Sequence, residues 1–201
     1  MYPIPIHNLI RAFATLPGVG QRTAERFVFH LLKSGKKDAA ELTVALKNLI
    51  ETVKSCEICW DFSDRSPCAI CLDKKRDPTM LCIVQESQDA ATIERTGQYT
   101  GRYHILRGLL TPDDEETMHK TKIPELFERI ATQTSPIREI ILALNPNLAG
   151  ETTMMFLEKK CKAINPTLTI SRLARGLPMG ADLQYADDIT LGSALKHRQV
   201  S

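Results

Sequence analysis

Cys56-Glu-Ile-Cys59-Trp60-Asp-Phe-Ser-Asp-Arg-Ser-Pro-Cys68-Ala-Ile-Cys71 sets two C-x2-C pairs on either side of an eight-residue polar loop. Pairs at this spacing wrap four thiolates tetrahedrally around one Zn²⁺ and leave no position for water or substrate, so the metal they imply is structural, one per chain. The Ser, Asp and Pro between the pairs suit a tight loop, and the lone Trp60 is expected to shield the thiolates from solvent. Two disulfides or a redox C-x-x-C account for the array less well, because a redox dithiol needs no second pair beside it.

On the N-terminal side of this array, apolar residues recur at helical spacing. Leu9, Ile10 and Phe13 form one run, Ala24, Phe27, Val28, Leu31 and Leu32 a second, and Leu42, Leu46, Leu49 and Val53 a third. Breaks fall at Pro17-Gly18, at Ser34-Gly35 and just before Cys56, so residues 1–54 read as a helical domain and 55–72 as the zinc motif. On the C-terminal side, a charged link from Asp73 to Pro78 gives way to β-rich runs alternating with helical ones. Strands are expected at Met80–Val84, Tyr103–Leu106, Ile137–Leu144 and Thr167–Leu173, with helices at Gln88–Arg95, Ile123–Thr132 and Glu151–Ala163. Such alternation predicts a parallel sheet covered by helices over 79–174, an α/β domain followed by a C-terminal segment, 175–201. The acidic run Asp113–Glu116 after Thr111 and Pro112 reads as a solvated first helical turn rather than a metal site.

The 201 residues are enough for a substantial core and for more than one domain. The opening MYPIPIHNLI lacks the charged start and long apolar core of a signal peptide, and no run is long enough to span a bilayer, so a cytoplasmic protein without a membrane partner is expected. Cys82 and Cys161 read as small buried hydrophobes in a reducing compartment. The five histidines, His7, His30, His104, His119 and His197, show no ligand spacing. A net charge of +2 is too small to advertise a polyanion binder, so any such site must be a local patch.

Leu16-Pro-Gly-Val-Gly-Gln-Arg-Thr-Ala-Glu-Arg26 supplies that patch. Gly18 and Gly20 admit backbone angles closed to other residues and let a phosphate approach the main chain, while the N–H groups opening the next helix point outward at its positive dipole end. Arg22 and Arg26, four apart, share one helical face beside this cradle. The pattern resembles a helix-hairpin-helix, a module that grips DNA through its backbone without reading sequence. Apolar Leu16 and Val19 would also suit a plain helical turn. Lys33, Lys36 and Lys37 either extend the patch or form a solvated loop.

A third constellation joins Leu81-Cys-Ile-Val-Gln85-Glu86 to Ile140-Ile-Leu-Ala-Leu-Asn145-Pro-Asn147-Leu-Ala149-Gly150-Glu151. These segments look like a Toprim domain, whose catalytic members collect Mg²⁺ on a glutamate after the first strand and on a D-x-D-x-x-G-E type segment after a later one. Here the corresponding positions hold Gln85, with Glu86 one step on, and Asn145, Asn147 and Ala149, leaving only Glu151. Neutral amides supply neither charge for a divalent cation nor a base for its water, so no phosphodiester cleavage or joining is expected. Asn145-Pro146 and Gly150-Glu151 suit a strand-to-helix turn and a helix start.

Taken in order, the hairpin, the four-cysteine motif, the Toprim-like sheet and the Gly176–Asp188 segment are similar to the RecR family of bacterial recombination mediators over nearly the whole chain. Ile93-Glu-Arg-Thr-Gly97, Tyr99-Thr-Gly-Arg-Tyr103 and Asp188-Ile-Thr-Leu-Gly-Ser-Ala-Leu195 add to the resemblance. It implies a non-enzymatic protein of DNA repair and recombination that assembles into dimers or tetrameric rings able to encircle DNA, with the C-terminal segment as an oligomer contact. It also implies action with RecO, and in many bacteria RecF, to load RecA on single-stranded gaps. By position it places the zinc ligands on Cys56, Cys59, Cys68 and Cys71 and the DNA-facing groups on Gly18, Gly20, Arg22 and Arg26. The chain departs from the family at Gln85 and Ala149, where acids are usual, which bears on any partner contact made through Toprim carboxylates. Zinc in this setting is expected to hold the helical and α/β parts in fixed relation. Two other classes fit parts of the chain: an active Toprim enzyme such as a primase, topoisomerase or nuclease, and a protein-binding zinc scaffold whose arginines pair with acids such as Glu25.

Overall fold

The computed structural model describes residues 2–111, 117–132 and 137–198, and the chain forms two compact units, Met1–Val53 and Lys54–Ser201. Each of the three N-terminal apolar runs becomes one helix: α1 (Ile4–Ala14), α2 (Gln21–Ser34) and α3 (Lys36–Thr52). Ile10, Ala24 and Val28 are buried at their centre, with Ile6, Phe13, Ala14 and Val19 packed around them. Gly35, at φ +99°, ends α2 and opens α3, a left-handed position that favours glycine. The Tyr2 ring meets Phe29 edge-on at 5.2 Å and its hydroxyl donates to Glu25. The apolar face of α3 finds no core. None of its residues is buried, and Leu49 and Ile50 are 58% and 80% exposed.

The second unit opens on β1 (Lys54–Ser55) and β2 (Phe62–Ser63), an antiparallel hairpin, followed by the single-turn α4 (Ala69–Leu72). Then come β3 (Met80–Val84), α5 (Ser87–Arg95), β4 (Arg102–Ile105), α6 (Thr117–Lys120), α7 (Ile123–Ala131), β5 (Glu139–Ala143), α8 (Leu148–Ile164), β6 (Thr169–Arg172) and α9 (Asp188–Lys196). The four longer strands form a parallel sheet in the order β4-β3-β5-β6. Alternation along the strands feeds two apolar layers. Leu81, Ile83, Ile140 and Leu142 meet Ile123, Leu126 and Ile130 of α7 and Met154, Leu157 and Cys161 of α8. On the other face Cys82, Val84, Tyr103, Ile105 and Ala143 enclose Ala90, with Ile93 of α5 packed against them. A sheet covered on both faces explains why β3 reads as a continuous apolar run.

The parallel α/β architecture is as the alternation predicts, and Cys82 and Cys161 are buried within it. β3 has the expected ends, and the other expected element ends differ by at most three residues. The largest shift is at α8, which begins at Leu148 rather than Glu151 because the Asn147 side chain accepts the Gly150 N–H at 2.8 Å and caps the helix. The acidic run Asp113–Glu116 lies outside the described residues. No described helix is long and apolar enough to cross a membrane.

Candidate zinc centre and nucleic-acid hairpin

Residues 56–60 bend back on themselves. The Cys56 N–H donates to Asp61 O at 2.8 Å and the Trp60 N–H to Cys56 O at 2.9 Å, with Trp60 left-handed at φ 64°. This turn aims Cys56 and Cys59 inward, and the chain returns through α4 to bring Cys68 and Cys71 opposite them. The four Sγ atoms lie within 4.8 Å of one another and all four residues are buried. Cys56 and Cys71 sulfurs are 3.8 Å apart, and Cys59 and Cys68 sulfurs 3.6 Å. Tetrahedral coordination with metal–sulfur distances of about 2.3 Å puts sulfurs about 3.8 Å apart, so the donor set fits zinc in number, chemistry and spacing. Without a cation, burial pushes the Cys56 thiol up, but N–H groups of Cys59, Cys68 and Ile58 outweigh it and bring the thiol down to about 7. Cys59 is pushed far up by its hydrogen bond with Cys71 and by burial, and burial carries Cys68 up to about 11. Four buried thiolates repel one another, and a divalent cation resolves that conflict.

The apolar cover of the thiols is Ile58 and Ile70. Trp60, expected in that place, is not among the side chains packed on the thiols and lies instead under the Lys122 ammonium, 4.0 Å from its ring centroid, in a cation–π contact. Three carbonyls of the bend are met by donors from that layer. Arg129 Nη1 donates to Ile58 O at 3.2 Å, the Ile105 N–H to Cys59 O at 2.8 Å, and Arg107 Nε to Trp60 O at 2.9 Å. Arg107 also reaches Ser55 Oγ at 2.8 Å and stacks 4.2 Å from the Phe62 ring centroid. Arg107, Lys122 and Arg129 carry no motif and stand far from the cysteines in the chain, so nothing in the sequence marks them as partners of the finger.

In the helical unit, Gly18 is left-handed at φ +77° and the Val19 N–H closes the turn on Leu16 O at 3.0 Å. Val19 packs into the core while Leu16, Pro17, Gly18 and Gly20 are exposed. Gly20 is the N-cap of α2 and brings no side chain to its first-turn N–H groups. A Cβ built on Gly18 or Gly20 meets no atom within 4 Å, so the glycines leave open space where an anion can come against the main chain. Ala24 and Val28 are buried, and Arg22 and Arg26, each about 200° round the helix from one of them, are exposed. Neither arginine is ion-paired among the described residues, and Glu25, their nearest acid in the chain, is engaged by Tyr2.

At the C-terminal ends of the sheet strands Asn147 serves the backbone, while the Gln85 amide donates to Glu86 at 3.4 Å. Asn147 caps α8, and Gly150 is forced by packing, since a Cβ there would lie 1.9 Å from Asn145 O. Glu86 caps α5 in a reciprocal capping box with Asp89, whose carboxylate accepts the Glu86 N–H at 3.0 Å. Glu151 pairs with Arg175 and, at 3.3 Å, with Arg172, which also holds Glu158 at 3.0 Å. These arginines, Asp89 and Asn145 line a cleft of about 340 Å³. The four cysteines are the one cluster of three or more His, Cys, Asp or Glu side chains with metal-binding spacing among the described residues.

Comparison with known proteins accounts for each part. A family model described as Toprim domain matches residues 79–174, and models described as RecR helix-hairpin-helix, RecR four-cysteine zinc finger domain and RecR C-terminal match 6–50, 53–73 and 176–199. The chain is 43% identical to the recombination protein RecR of Cutibacterium acnes over 198 residues, covering 98% of this chain and 96% of that one. It is 42% identical to RecR of Anaeromyxobacter dehalogenans over 195 residues, 97% and 96% of the two chains, and 40% identical to RecR of Paenarthrobacter aurescens over 199, 99% and 98%. Fold and sites together define a modular protein in which a helix-hairpin-helix unit precedes a four-cysteine zinc finger and a Toprim domain. The chain belongs to the RecR family of recombination proteins.

Proposed function

We propose that this chain is a non-enzymatic mediator of recombinational DNA repair that holds the DNA backbone without regard to sequence. The observation that carries this is the turn in which Pro17, Gly18 and Gly20 are exposed, with N–H groups free of a side-chain cap at the start of α2 and Arg22 and Arg26, without ion pairs among the described residues, close behind on the same helix. Backbone N–H groups and guanidinium groups in this arrangement suit phosphate oxygens and have no base edge to read. Each such contact is weak. Several copies arranged as a ring-like clamp would add their contacts through multivalency, so a near-neutral protomer suffices. The unpartnered apolar residues of α3 and the exposed Leu177, Leu183, Tyr185 and Ile189 of the C-terminal segment support assembly of a homo-oligomer. Family membership supports action with RecO, and with RecF where present, in loading RecA on gapped DNA in the cytoplasm.

Cys56, Cys59, Cys68 and Cys71 are the residues assigned to one structural zinc per chain, which when bound neutralises thiolate charge and ties the two ends of the finger loop. Absence of phosphodiester chemistry is supported by the uncharged Gln85, Asn145, Asn147 and Ala149 and by the engagement of Glu86 and Glu151 in a helix cap and in arginine pairs. The test is titration of DNA at rising salt. Affinity falls steeply as salt rises, and Arg22→Ala with Arg26→Ala weakens binding to all sequences alike and lowers the slope of log affinity against log salt by about one for each phosphate no longer held. A double variant with unchanged affinity and slope overturns the hairpin assignment. Mg²⁺-dependent cleavage by the purified wild-type protein overturns the non-enzymatic one.

A further inference from the structure

We infer that Arg129 is the built-in counter-ion of the four-cysteine centre, a positioning residue that makes zinc affinity and docking of the finger onto the α/β layer one coupled equilibrium. This rests on the zinc assignment made above. Its side chain leaves α7 in the α/β layer, and one nitrogen, Nη1, bridges the two parts, donating to Ile58 O inside the first C-x2-C at 3.2 Å and to Tyr103 O of β4 at 2.8 Å. No carboxylate pairs with it among the described residues, in contrast to Arg76, Arg172 and Arg175, each of which meets a glutamate. A largely desolvated guanidinium without an anion is costly. Burial opposes its ionised form, as does Arg102, while charge at Cys71, Cys59 and Cys56 favours it.

Four thiolates on one Zn²⁺ carry a net charge of about −2, and that charge is the anion Arg129 otherwise lacks. The hydrogen bond to Ile58 O fixes the backbone between the first two ligands, as outer-shell partners do at other metal sites. Arg107 and Lys122 stand at the rim of the same seam but spend their cation faces on Phe62 and Trp60, and Lys122 also pairs with Glu125 at 2.6 Å. Arg129 is therefore the group whose loss the centre should feel most.

The test is competition for zinc between the full-length chain and a chromogenic chelator, with wild type, Arg129→Gln, Arg129→Lys and Leu126→Ala compared. Leu126 is fully buried on the same helix, and its truncation reports general destabilisation. Arg129→Gln is expected to weaken zinc binding by about 10- to 100-fold, Arg129→Lys by less, and Leu126→Ala by no more than its loss of stability carries. A folded Arg129→Gln that holds zinc as tightly as wild type overturns the inference, as does an equal zinc loss in Leu126→Ala at matched stability. Should Arg129→Gln fail to fold, hydrogen exchange on wild type decides. Stripping zinc is expected to expose amides of Ile123–Ala131 along with those of the finger, and unchanged protection of that helix refutes the coupling. A wild-type chain that binds no zinc at all refutes the zinc assignment itself, which the same chelator assay reads separately.

Discussion

Gly150 and Gly20 show how differently two glycines of one chain are used. At Gly150 a methyl group would meet the Asn145 carbonyl at 1.9 Å, a backbone atom that cannot step aside. Gly150→Ala is expected to destabilise the second unit by roughly 2 kcal/mol or more, read as a lowered urea midpoint. Gly20 has open space and an ordinary φ of −80°, so Gly20→Ala should leave the fold within about 1 kcal/mol of wild type while weakening DNA binding, because the methyl stands where phosphate is proposed to approach. His104, which the sequence presents as an ordinary side chain, is fully buried, with Nε2 2.7 Å from Lys122 O and Nδ1 without a partner among the described residues. Desolvation holds its pKa down to about 4. Since the unfolded imidazole takes a proton near 6.5 and the folded one does not, the unfolded state binds more protons between those values and stability falls as pH drops through that window. The loss is roughly 3 kcal/mol at its fullest, and His104→Gln should flatten this part of the stability profile measured by urea unfolding.

At the scale of elements, the start of α8 gives Asn147 a structural role. Asn147 falls where the Toprim resemblance leads one to expect an acid, and its side chain is the N-cap. Asn147→Ala should cost about 1 kcal/mol of stability, whereas Asn147→Asp keeps the cap and adds a charge favourable to the helix dipole. Asn147→Asp is also expected to stay without Mg²⁺-dependent cleavage, since Gln85 and Ala149 remain uncharged and Glu151 remains held by Arg172 and Arg175. Gain of cleavage by that single change would show the C-terminal ends of the sheet strands to be one substitution from an active site. The finger is the opposite case: its hairpin strands are two residues each, and four sulfurs at coordination spacing stand where a larger element would have a core.

At the scale of the whole molecule, α3 leaves an apolar face uncovered and the C-terminal segment does likewise, which predicts a multimer in solution. Light scattering should give a mass of two or more chains, and Leu49→Lys with Ile50→Lys should lower it if α3 takes part. The three N-terminal helices, the parallel strands and the clustering of the four cysteines were all legible in the sequence, because each is written in local spacing: apolar periods of 3.6 and 2, and cysteines paired across two residues. The exposed Gly-x-Gly turn followed by two arginines was legible for the same reason. What neighbours in the chain cannot encode is which distant groups meet. That Arg129, seventy-one residues from Ile58, meets the finger, that His104 is buried with one ring nitrogen unsatisfied among the described residues, that Trp60 pairs with Lys122 rather than packing on the thiols, and that Glu151 is neutralised by Arg172 and Arg175 were decided only by the tertiary structure. Local spacing sets which elements form, whereas desolvation and charge pairing act across space and depend on how the sheet brings those elements together.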